Sequence, residues 1–300
     1  MGIKRRTRIW TTVGTAALVG SLASCSEPAS EPPADEAPQA QSEEAQQPAA
    51  EAPAAETPAP TGFTEGEGGG EGEGGGGGGE FGIDPVAAET DPVVYHIALE
   101  VMRAHYLAGI DAFRAGNRTA GAEMFAHPIS EIYIDFEPVL ETLDAPLFGE
   151  TMTEASVAPY SGADDEEIAA KVDDVIAAID AAADYAPQSE LSAGAVHARV
   201  LADLVERGAL QYRFLEANPD NAGDAYLDGY GFTRGARRYA ANHMQEIAAA
   251  GPEAAAQFAS LMGQLETAFP TALQPETLNV DGEALVASVS DLQDTIKTLD

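Results

Sequence analysis

The sequence predicts an all-α protein: an antiparallel bundle of about six to seven helices, behind a disordered N-terminal tether. Three observations carry that expectation. From residue 84 onward the chain is rich in alanine and helix-forming apolar residues. Its apolar residues recur at intervals of three and four, and no stretch of convincing length alternates as a strand would. Glycine and proline mark turns between the periodic segments, at Gly116-Asn117 and Gly251-Pro252.

The elements follow in order. Asp91-Pro92 starts the first long helix, with a capping carboxylate and then proline where no amide is needed. It runs to about Ala115, and Gly116-Asn117 makes a turn. A second helix continues to about Leu143, with Pro128 and Pro138 expected to kink or break it. A loop through Pro146, Pro159 and Gly162 follows. The third helix spans Asp164 to Tyr185, its positive end met by Asp164, Asp165, Glu166 and Glu167. Ile168, Val172, Val175, Ile176 and Ile179 form its buried stripe. Further helices are expected at Ser189–Glu216, Asn221–Ala250, Glu253–Phe269 and Gly282–Leu299, with Gly229 and Gly231 weakening the start of the second of these.

Residues 84–300 suit one helical domain, and the 15 basic against 50 acidic residues of the chain argue against nucleic acid as a partner. Residues 25–83 read as a tether. From Ser26 to Ile83 there is no Lys or Arg and hardly any large apolar residue. Pro, Ala, Glu and Gln come first, then a Gly-Glu tract from Gly66 to Glu80. Such a segment cannot bury enough apolar surface to offset its ordering entropy, and its glutamates repel one another.

Residues 1–24 read as an export signal. Lys4, Arg5, Arg6 and Arg8 precede an apolar run from Trp10 to Leu22, shorter than the roughly 20 residues a bilayer span needs. The run ends in Leu22-Ala23-Ser24-Cys25, which resembles the lipobox of bacterial lipoproteins. The resemblance implies cleavage before Cys25, acylation of that cysteine and attachment to a membrane through its lipid. Each buried CH₂ of such a lipid contributes about 0.8 kcal/mol. Ser26, in place of Asp, points by the same resemblance to a cell-envelope location on the outer membrane, facing the periplasm. Cys25 is the only cysteine, so the chain has no intrachain disulfide and no thiol left for chemistry.

The histidines carry the remaining chemistry. His96 has Glu100 four residues on, His127 has Glu123 and Glu131 four residues to either side, and His243 has Glu246 three residues on. Residues three or four apart share a helix face, so each group can offer nitrogen and oxygen ligands together. Imidazole with carboxylate suits iron, zinc or manganese. The first hairpin sharpens the expectation. His105 and His127 stand equally far from the Gly116-Asn117 turn, and so do His96 and Glu137. Antiparallel helices would therefore bring each pair to one height. His197, among Val196, Val200 and Leu201, reads as a histidine at the core edge, and Arg234, Arg237 and Arg238 as partners of nearby carboxylates. There is no Gly-x-Ser-x-Gly, phosphate loop, His-Glu-x-x-His or haem-attachment pair, so the chain is not expected to be an enzyme.

Residues 113–144 hold the run Phe113-Arg-Ala-Gly-Asn-Arg-Thr-Ala-Gly-Ala-Glu-Met-Phe-Ala126 and then Ser130-Glu-Ile-Tyr-Ile-Asp-Phe-Glu-Pro-Val-Leu-Glu-Thr-Leu-Asp144. This stretch resembles the first helical hairpin of imelysin-like and EfeO-type periplasmic iron-uptake proteins. The resemblance implies a helical bundle outside the cytoplasm that binds iron or another divalent metal, and it maps the family's Glu-Pro glutamate onto Glu137. The family's Gly-x-His-x-x-Glu has its nearest counterpart in Asn242-His243-Met244-Gln245-Glu246, which lacks the glycine. The expected function is a membrane-tethered lipoprotein binding a divalent metal in an uptake system. The alternative is a non-catalytic interaction lipoprotein that docks an envelope transport or assembly protein.

Overall fold

A computed structural model describes residues 82–219 and 223–300. The signal segment, Cys25 and the tether as far as residue 81 lie outside the described residues. Those that are described fall within one compact unit, Glu71–Asp300. They contain α1 (Pro85–Ala88), α2 (Pro92–Arg114), α3 (Arg118–Pro128), α4 (Ile134–Thr142) and α5 (Gly149–Val157). Then come α6 (Asp165–Ala183), α7 (Ala193–Ala217), α8 (Gly223–Ala250), α9 (Pro252–Ala268) and α10 (Gly282–Ile296). No strand occurs among the described residues, so the all-α class holds.

Side chains set the helix starts. Asp91 accepts from the Val93 amide at 2.8 Å, with Pro92 next in line. Asp164 and Glu167 close a reciprocal capping box at the start of α6. Ser192 and Asp281 cap α7 and α10. The turn after α2 is a Schellman motif: Asn117 N–H donates to Ala112 O at 3.0 Å and Gly116 N–H to Phe113 O at 3.2 Å. It requires a left-handed residue, and Gly116 has φ of 97°. Asp144 makes the same turn after α4 with φ of 54°.

α3 ends at Pro128, and the chain continues without a loop into a π-turn over Ile129–Tyr133, where Ile134 N–H donates to Ile129 O, five residues back. Pro138 is carried inside α4 without a break. The expected loop through Pro146 to Gly162 contains α5 and a 3-10 turn, Ala158–Tyr160. Within α5 only Met152 and Ala155 are buried, too few to make a periodic signal in the sequence.

α2 lies at the centre and touches α3, α6, α7 and α8. Two contacts bring backbones close. A Cβ at Gly121 would lie 2.6 Å from Gly109 O, and one at Gly231 would lie 2.7 Å from Ala104 O. These glycines let α3 and α8 approach α2 on either side of His105. α7 packs against α8 and α10, and α9 closes against α8 and α10. Buried tyrosines tie helices to one another and to loops. Tyr95 donates to Ala182 O at 2.8 Å, Tyr106 to Phe125 O at 3.1 Å and Tyr226 to Thr271 O at 2.7 Å.

Gly121→Ala is expected to lower stability by about 1–3 kcal/mol, because the backbone facing it cannot retreat. Gly263→Ala, with nothing within 4 Å of the added carbon, is expected to raise it by about 0.5–1 kcal/mol. Denaturant unfolding of both variants checks this, and equal effects would refute the close-packing account.

Candidate metal centres

Two groups of metal-capable side chains form among the described residues. The first, His105, His127 and Glu131, joins α2, α3 and the π-turn, and Asp228 of α8 stands beside His105. His105 is buried, with Nε2 3.9 Å from Glu131 Oε2 and 3.7 Å from Asp228 Oδ1. His127 places Nδ1 4.0 Å from Glu131 Oε1. The two imidazole rings stand 6.3 Å apart, centre to centre, at 74°. Glu131 thus reaches both histidines from the π-turn that follows Pro128.

The His105 tautomer follows from its other nitrogen. Nδ1 lies 2.9 Å from Val101 O, a carbonyl that can only accept, so Nδ1 carries the proton. Burial pulls the His105 pKa down to about 4, outweighing that hydrogen bond, and charges on His127 and Arg207 act in the same direction. At neutral pH the ring is therefore neutral, and the Nε2 lone pair faces two carboxylates. A backbone acceptor behind the ring is the arrangement that orients a histidine ligand. Donors about 2.1 Å from one ion at tetrahedral angles stand about 3.4 Å apart, and the His105, His127 and Glu131 donors, all within 4.8 Å of one another, would have to draw together to hold one. Arg207 stands nearby, bound to Asp203 at 2.6 and 3.2 Å. Counted formally, Glu131, Asp228 and Asp203 against Arg207 leave two negative charges in excess, the complement of a divalent cation.

The second group joins α7 and α8. His197 Nε2 lies 3.1 Å from Glu246 Oε2, and His243 Nδ1 lies 3.6 Å from the same oxygen. The His197 and His243 rings stack at 3.8 Å, and His197 Nδ1 lies 2.7 Å from the Tyr239 hydroxyl. His96 comes in from α2, its ring 6.2 Å from His197. Burial lowers the pKa of all three histidines, to about 4 for His96 and His197.

Several expectations need correction. Glu123 is exposed and belongs to neither group. His96 does not meet Glu137. It faces His197 and His243, while Glu137 lies against Tyr133, whose hydroxyl pKa its charge helps to raise. The π-turn intervenes between the Gly116-Asn117 turn and Glu137, so equal distance from the turn no longer means equal height. His197 belongs to the second group, with one ring nitrogen on Glu246 and the other on Tyr239. Asp228 was missed, and no spacing in α8 marks it out. Arg234, Arg237 and Arg238 do pair with carboxylates: Asp111, Glu266 and Asp180.

No protein-family model matches this chain, and no curated protein or solved structure matches it. The likeness of residues 113–144 to the imelysin-like hairpin therefore rests on the quoted motifs alone. Fold and side chains define a helical protein with two histidine–carboxylate clusters. No helix among the described residues is long and apolar enough to cross a membrane.

In the metal-free protein His105 titrates at about 4 folded, against 6.5 for an unperturbed histidine. Between these values the unfolded chain takes up the extra proton. Stability is therefore whole above about pH 6.5 and is lost as the pH falls towards 4, by up to about 3 kcal/mol from this residue. His96 and His197 act in the same direction. Thermal unfolding in chelator between pH 7 and 4 is expected to give a shallower slope for His105→Gln than for the parent. Parallel slopes would show that His105 is not the buried neutral base described.

Proposed function

We propose that this protein is an extracytoplasmic, membrane-tethered helical metal binder that holds a divalent transition metal such as iron in the α2–α3 hairpin. Its ligands are His105, His127 and Glu131, with Asp228 completing the group. The observation that carries this reading is the convergence of His105, His127 and Glu131, whose donor atoms lie within 4.8 Å of one another, with the His105 ring oriented by Val101 O. The mixed nitrogen and oxygen donors suit iron, manganese or zinc. The resemblance of residues 113–144 to iron-uptake hairpins supports the same class of cargo. The lipobox at Leu22–Cys25 supports the tether and a place in the cell envelope, and the reading involves no catalysis.

A second reading, an interaction module that docks an envelope protein, draws on exposed apolar side chains. Val86 on α1 and Ile134 on α4 are 73% and 62% exposed, and these two helices touch. Such surface marks contact sites when it is continuous.

Calorimetry with Fe(II), Mn(II) and Zn(II) on the full chain tests the first reading. The double variant His105→Ala/His127→Ala is expected to lose a stoichiometric ion while keeping its helical circular dichroism. Retention of that ion with unchanged affinity would sink the reading. Cys25→Ala is expected to move the protein from the membrane to the soluble fraction of its host. A variant that still sediments with membranes would refute the lipid anchor.

A further inference from the structure

The cluster on α7 and α8 has features that the hairpin centre lacks. It opens onto a cavity of about 280 Å³, which His96, His197 and His243 line together with Tyr239. The cations that line that cavity are already paired with carboxylates. Arg103 pairs with Glu100 at 3.1 Å and with Asp180 at 2.7 Å, and Arg238 pairs with Asp180 at 2.8 Å. An entering cation therefore meets paired guanidinium groups rather than bare ones. Donor atoms of His197, His243 and Glu246 lie within 4.8 Å of one another. We propose that this cluster is a second transition-metal site, separate from the hairpin centre and loaded through the cavity, in which His197, His243 and Glu246 hold the ion and Tyr239 orients His197.

Nitrogen-rich donors place the ion in the zinc and copper class rather than with magnesium or calcium. His96 supplies a third imidazole on the cavity side. Tyr239 acts through the other nitrogen of the His197 ring. Its hydroxyl lies 2.7 Å from His197 Nδ1, and a hydroxyl can donate to that nitrogen or accept from it. His197 Nε2 lies 3.1 Å from Glu246 Oε2. With an ion on Nε2 the ring proton sits on Nδ1, and the Tyr239 oxygen accepts it. Tyr239 is thus a positioning residue, of the kind whose loss weakens metal affinity by about 10–100-fold.

The test is Zn(II) calorimetry on the chelator-stripped full chain, with Cu(II) electron paramagnetic resonance. The parent is expected to bind two zinc equivalents. His105→Ala/His127→Ala should leave one, and in that background Cu(II) should show nitrogen couplings that His197→Ala removes. Tyr239→Phe keeps the buried ring, and Glu246→Gln alters an exposed side chain, so both retain the fold. Each is expected to weaken one zinc site at least about tenfold and spare the other. Two unchanged sites in both variants would overturn the proposal, as would Cu(II) spectra without nitrogen couplings. A single parental site lost only in His105→Ala/His127→Ala would overturn it and leave the hairpin centre standing. A single site lost only in Glu246→Gln would support it and remove the hairpin reading.

Discussion

The burial of α2 on every side is the constraint on which the rest of the structure depends. A helix in that position can have no polar face, so each polar group it carries must find a partner inside the protein. Glu100 and Arg103 satisfy each other, and Asp180 on α6 completes the network from the cavity side. Burial still pushes the Glu100 pKa upward against the pull of Arg103. Such a network contributes little net stability but fixes how α2 sits against its neighbours, because any other rotation would leave a charge buried without a partner.

His105, buried on this helix like Glu100 and Arg103, is satisfied differently. One nitrogen is spent on the carbonyl one turn back, which leaves the other as a lone pair aimed at carboxylates from two other elements. The close approaches at Gly109/Gly121 and Ala104/Gly231 make this possible. They bring α3 and α8 near enough for short acidic and imidazole side chains to meet. A methyl group at either contact would push those side chains apart.

His96 and His105 lie nine residues apart on α2, about 14 Å along the axis and on opposite sides of it. One buried helix thus serves both clusters without sharing a ligand between them. α8 does the same from its own side, with Asp228 near one end and His243 and Glu246 further along. In a chain this acidic the clusters stand out for what they contain: imidazoles beside their carboxylates. That composition moves the donor set away from hard cations and towards transition metals.

The sequence by itself determined the long helices, though not α5, because their signals are written in local chemistry. Asp91-Pro92, the Asp164/Glu167 box and Gly116-Asn117 act over a few residues, and the stripe from Ile168 to Ile179 needs only helical periodicity. It also paired His105 with His127 across the hairpin, since a short turn makes height countable from its centre. The counting failed at Glu137 because a π-turn follows Pro128, which local propensity does not announce. His197 and Asp228 were decided by tertiary structure alone. What places His197 beside Glu246 and Asp228 beside His105 is the packing of α7 and α8 against α2. That packing depends on glycines fitting against particular backbone atoms, a complementarity of shape that no spacing along the chain encodes.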